Sequence, residues 1–69
     1  MKDWRSVVGK NIRALRVARG MTQERLAFAA ELDLTYIGGI ERGRRNPSLL
    51  VMVRIADALD APLSDLVQT

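Results

Sequence analysis

Three arginines crowd into positions 42, 44 and 45, with Asn46 directly behind them. A guanidinium is a planar, permanently charged fork of donors, suited to phosphate oxygens and to paired acceptors in one plane. The same cluster also reads as a solvated patch of charge, so its meaning depends on what precedes it in the chain. Other chemistry has little to work with. The chain holds neither cysteine nor histidine, which excludes disulfides, thiolate catalysis, imidazole bases and the usual zinc ligand sets. Its three serines, Ser6, Ser48 and Ser64, stand in no pattern with a lysine that would make a nucleophile. The expectation is a protein that is not an enzyme and takes no cofactor and no metal.

Charge placement says more than net charge. Residues 1–45 carry ten basic and five acidic side chains, whereas residues 46–69 carry one basic and three acidic ones. A basic front and an acidic back suggest that one face meets a polyanion, nucleic acid first, while the other stays solvated or meets protein. Sixty-nine residues, 48% of them apolar, suffice for one small core and not for two. No apolar run nears the roughly 20 residues that span a bilayer, and Met1-Lys2-Asp3-Trp4-Arg5 opens no signal peptide. A soluble, cytoplasmic protein without a membrane partner is expected.

The elements that must position these groups are helical throughout. Trp4, Val8, Ile12 and Leu15 draw one apolar stripe along a helix of about residues 3–19, which Gly20 ends. Thr22 caps a short second helix from Gln23 to about Ala29, with Leu26 and Ala30 inward. Asp33 opens a helix of about 34–41 with Ile37 and Ile40 inward, stopped by Gly43. Ser48 caps a fourth whose inward set is Leu49, Met52, Ile55, Ala56 and Leu59, and Pro62 begins a fifth carrying Leu63 and Leu66. No segment alternates as a strand would, so the fold class is all-α. Helices this short need tertiary packing to survive in water.

The second and third helices, joined by about four residues, have helix-turn-helix geometry. Gly20-Met21-Thr22-Gln23-Glu24, Leu26-Ala27, Leu32-Asp33, Thr35-Tyr36-Ile37, Gly39-Ile40-Glu41-Arg42-Gly43, Arg45-Asn46-Pro47-Ser48-Leu49 and Ile55-Ala56-Asp57-Ala58-Leu59 make the chain resemble the phage-repressor (Cro/repressor-type) helix-turn-helix family. The resemblance covers about residues 9–67. Within that family the run from Leu32 to Asn46 looks most like the controller proteins of restriction–modification systems, which are small dimeric regulators. It implies a single five-helix repressor-type domain over residues 1–69, with the motif at about 22–42.

It also implies roles for particular residues. Helix 34–41 would enter the major groove of double-stranded DNA, where each base pair shows a distinct donor and acceptor pattern. Gln23 would anchor a phosphate and bridge it to that helix. Leu34, Thr35 and Gly39 fall at base-reading positions, although Leu34 departs from the long polar or basic residue usual there and offers a thymine methyl only apolar contact. Arg45 would read a guanine through O6 and N7, with Arg44, Asn46 and Tyr36 on the backbone. Lys10 and Arg13, one helical turn apart, are candidates for further phosphates. Gly38-Gly39, costly inside a helix, has two readings: crowding against the core, or close approach of the backbone to DNA. Glu31 stands where the family commonly has a glycine, which puts the turn in question. Arg16 and Glu41 match a structural salt bridge between the first and third helices.

Phe28, Leu50, Val51 and Val53 are surplus apolar residues for a lone domain of this size, and the resemblance implies a homodimer through the fourth and fifth helices. Their other reading is burial under the termini. The expectation is a homodimeric, sequence-specific transcriptional regulator on a palindromic operator. Its rival from another class is a protein-binding adaptor or antitoxin-like partner built on the same scaffold.

Overall fold

Asp3, Thr22, Asp33 and Ser48 take extended backbone, and each starts an α-helix in the computed structural model, which describes residues 1–69. The helices are α1 (Trp4–Ala18), α2 (Gln23–Ala30), α3 (Leu34–Glu41) and α4 (Leu49–Ala58). Three of the four caps close through the side chain: Asp3 accepts from the Arg5 amide at 3.2 Å, Thr22 from Arg25 at 3.1 Å and Ser48 from Val51 at 3.2 Å. Asp33 holds the cap position of α3 without a side-chain bond. The Ser6 hydroxyl also donates to Asp3 at 3.1 Å and is the main reason that this carboxyl is held below the usual aspartate range.

All four helices end alike. An amide two residues beyond α2 and three beyond the others bends back to a carbonyl five residues earlier: Met21 to Arg16, Leu32 to Ala27, Arg44 to Gly39 and Ala61 to Ala56, at 2.8–3.0 Å. This is the Schellman arrangement, which requires one residue in the left-handed region just before the returning amide. Gly20 (φ 67°) and Gly43 (φ 74°) supply it for α1 and α3. Glu31 (φ 57°) and Asp60 (φ 52°) supply it for α2 and α4, where a side chain makes the conformation costly. The turn of the motif is thus built in the ordinary way despite Glu31.

The core gathers Val8 and Ile12 of α1, Leu26, Ala27 and Ala30 of α2, Ile37 and Ile40 of α3, Ile55 and Ala56 of α4, then Leu59 and Leu66. Gly9 is buried between α1 and α3, where a β-carbon would collide with the backbone carbonyl oxygens of Ile40 and Glu41. Two expected core residues lie outside. Trp4 is 51% exposed, at the rim of a cavity of about 230 Å³ that it shares with Val8, Pro47, Met52 and Val67, because its turn of α1 projects past the end of the core. Leu49 is exposed because it begins α4 before the helix reaches the core.

The fifth helix is also corrected. Leu63–Val67 forms a 3-10 turn, and Pro62 is its capping residue rather than its first helical one. With three residues per turn, Leu63 and Leu66 fall on the same side and seal the core, which an isolated α-turn of five residues would do less well. The architecture is therefore all-α with four α-helices and no strand. The longest helix has 15 residues, and none is long and apolar enough to cross a membrane.

Candidate nucleic-acid interface

α2 and α3 are fixed to α1 by one polar cluster. Arg16 on α1 grips Glu41 at the end of α3 in a bidentate pair, Nε to Oε2 at 2.7 Å and Nη2 to Oε1 at 3.1 Å. The Glu41 side chain is only 1% exposed, so the pair works away from bulk water. The third nitrogen of Arg16 donates to the Met21 carbonyl at 2.8 Å, fastening the loop before α2. Gln23, half-buried at the start of α2, donates from Nε2 to Glu41 Oε1 at 3.0 Å. An amide nitrogen has two hydrogens, and the second is left for an acceptor outside the protein.

The outward face of α3 has an unusual division. Leu34 (43% exposed) and Thr35 cover its first turn, and one helical turn on, at i+4, stand Gly38 and Gly39. Both glycines are nonetheless buried. The atoms nearest their missing side chains belong to Arg42 and Gln23 for Gly38 and to Arg45 for Gly39, and no core atom is among them. Crowding against the core is therefore not what the glycines relieve. Tyr36 is half-buried beside them, with the Arg45 guanidinium carbon 5.5 Å from its ring centroid, a cation–π distance.

Arg42, Arg44, Arg45 and Asn46 are exposed; Arg42 and Arg45 lie against Gly38 and Gly39 of α3, whereas Asn46 lines the cavity beside Trp4 and Arg5. None of the three arginines enters an ion pair: the bridges of the structure are Arg16–Glu41 and a solvated Arg5–Asp3 contact. Arg42 and Arg45 therefore keep their positive charge unpaired against the turn of α3 that follows Leu34 and Thr35. Lys10 and Arg13 are exposed on α1.

Of the residues expected at a protein interface, Phe28 is 88% and Leu50 74% exposed, whereas Val51 and Val53 are half-buried. Val51 packs on the core, which sets it apart from Leu50.

Three fixing residues escape a reading of the sequence. Arg54 of α4 donates to the carbonyls of Ala30 at 3.1 Å and Glu31 at 2.6 Å, satisfying the end of α2. Asn11 of α1 donates to the carbonyls of Leu66 and Gln68 at 3.0 and 2.8 Å, holding the 3-10 turn. Gly9 makes the third. Each acts on a partner far away in sequence, and only for Arg54, the lone base of the acidic segment, did composition offer a hint.

Comparison with known proteins adds independent findings. A family model described as Helix-turn-helix matches residues 12–66. The control protein C.BamHI of Bacillus amyloliquefaciens is 43% identical over 63 residues, 90% of this chain and 78% of that protein. An uncharacterised HTH-type transcriptional regulator, y4dJ of Sinorhizobium fredii, is 37% identical over 65 residues, 94% of this chain and 84% of the other. Among solved structures, the restriction-modification controller protein C.AhdI of Aeromonas hydrophila superposes with a TM-score of 0.88 at 45% identity, covering 90% of this chain and 94% of that one.

Proposed function

The chain belongs to the helix-turn-helix family, and from that premise we propose that it is a homodimeric, sequence-specific transcriptional regulator of the controller type. In each protomer α3 enters the major groove of one half of a palindromic operator. The observation that carries this reading is the face of α3: Leu34 and Thr35 exposed and unobstructed, with the unpaired Arg42 and Arg45 against its second turn. Thr35 offers a hydroxyl and a methyl to base edges, Leu34 an apolar contact to thymine, and Arg45 a fork for guanine. Arg44, Asn46, Tyr36, Lys10, Arg13 and the free amide hydrogen of Gln23 supply the phosphate contacts that set position.

The whole chain acts as one DNA-binding domain, working in the cytoplasm, with Leu50 and its neighbours on α4 joining two protomers. Two half-sites then sit about 34–36 Å apart, or a multiple of that, on one face of the duplex. Selection of bound duplexes from a random pool tests the proposal: enrichment of a palindrome with that spacing supports it. Failure of the chain to retain any duplex at low salt refutes it. A second reading, an adaptor that holds a different polypeptide, draws on the exposure of Phe28 on α2. A stoichiometric heterocomplex without DNA enrichment would favour that reading.

A further inference from the structure

Gly39 and Gly9 are both buried helical glycines, and they are buried by different things. A β-carbon on Gly9 would strike the main chain of α3, whereas the three atoms nearest one on Gly39 all belong to Arg45: Cγ at 2.8 Å, Nε at 3.3 Å and Cδ at 3.6 Å. Arg45 comes back onto α3 because the Schellman turn sends the chain there, with the Arg44 amide on the Gly39 carbonyl at 2.9 Å. Its stem lies along the bare backbone at Gly39 and its guanidinium sits 5.5 Å from the Tyr36 ring, three residues earlier on the same helix surface. The second turn of α3 has no side chain of its own at this point, and the arginine of the following loop fills the place.

Glycine inside a helix is disfavoured against alanine, and nothing in the core or main chain near Gly39 requires it. We infer that Gly39 is a positioning residue for sequence recognition: with Tyr36 it forms a seat that holds the Arg45 guanidinium against the outward face of α3, ready for a guanine edge. This inference rests on the DNA-binding reading above and deepens it. A long arginine fixed before binding loses less rotamer freedom on contact and discriminates more sharply than a free one.

The test compares the wild-type chain with Gly39→Ala, Arg45→Ala, the double variant and Tyr36→Leu. In the free protein, NMR reads the ring-current shift of the Arg45 side-chain protons and their cross-peaks to the Gly39 α-protons. Gly39→Ala is expected to abolish both while the melting temperature holds or rises by about 4 °C. On the operator selected by the wild type, Gly39→Ala should lower discrimination about tenfold at one base pair, the one at which Arg45→Ala also loses it. In the Arg45→Ala background, Gly39→Ala should change nothing further. Tyr36→Leu, which removes the other wall, should reproduce the loss at that base pair.

A lower melting temperature for Gly39→Ala would show that more than Arg45 occupies the space, and would overturn the seat. Equal weakening on every sequence, persisting in the Arg45→Ala background, would overturn it in favour of direct approach of the backbone to DNA. If the wild type selects no sequence, the DNA reading falls and this role with it. Selection by the wild type together with an unchanged Gly39→Ala profile overturns the seat alone.

Discussion

Arg16 and Glu41 close a bidentate ion pair between α1 and α3, and Gln23 of α2 donates to the same carboxylate 3.0 Å away. The two helices of the motif and α1 therefore meet at two oxygen atoms. Glu41→Ala leaves the Arg16 guanidinium, 11% exposed, without its counter-charge, and is expected to cost about 3–5 kcal/mol in urea unfolding. Arg16→Met combined with Glu41→Leu should recover much of that stability, because an apolar pair of similar volume needs no desolvation of charge. It should not recover DNA affinity, since Gln23 then has no acceptor to hold it. Stability and affinity returning together would refute the role of Gln23.

Gly9→Ala sets a β-carbon against the Ile40 and Glu41 carbonyls. The usual gain from alanine in a helix, about 1 kcal/mol, is reversed here, and a net loss of about 1–3 kcal/mol is expected as α1 and α3 are forced apart. Thermal unfolding measures it. A variant as stable as the wild type would mean that the two helices can separate freely.

Glu31 and Asp60 hold left-handed backbone with side chains attached. Aspartate visits that region more readily than glutamate, so the gain from glycine is larger at the first site. Glu31→Gly should stabilise the domain by about 1 kcal/mol, raising the melting temperature by roughly 4–8 °C. Arg54→Met, which releases the Ala30 and Glu31 carbonyls, should lower stability by about 1 kcal/mol. Calorimetry on the two variants decides, and a destabilised Glu31→Gly would contradict the strain assigned to this turn.

The caps and stops of the helices are legible in the sequence because they are local: Thr22, Ser48, Gly20 and Gly43 act within three or four residues of themselves. The inward faces of α2 and α3 follow from periodicity for the same reason. Trp4 shows where periodicity ends, since a stripe continues along a helix without regard to where the core stops. Arg54, Asn11 and Gly9 were not legible: each matters through a carbonyl 23 or more residues away, and nothing local marks it. At the candidate site, the residue types and the Arg16–Glu41 pairing were readable by resemblance. The covering of Gly38 and Gly39 by arginines was not, because it depends on the direction in which the chain leaves α3.

Leu50 is three-quarters exposed on α4, a poor place for leucine in a solitary domain. Leu50→Glu should shift sedimentation from dimer to monomer and leave the helical circular-dichroism signal intact. It should also weaken operator binding steeply, since each protomer then binds one half-site alone. A wild-type chain that sediments as a monomer at every concentration would remove α4 as a dimer surface.

Lys10 and Arg13 carry no partner on the exposed side of α1. If Lys10 rests on a phosphate, Lys10→Ala lowers affinity equally for all sequences and reduces the salt slope by about 0.9. An unaltered slope places Lys10 away from the duplex.

Because Gly38 and Gly39 leave the second turn of α3 bare, the groups facing outward there are borrowed from positions 42 and 45, beyond the helix. Part of target choice is thereby carried outside the helix whose inner face builds the core. With Gly43 kept for the turn, Arg42 and Arg45 could be exchanged without disturbing Ile37 or Ile40 underneath, so a lineage could redirect such a regulator to a new address by drift at the edge of a surface loop.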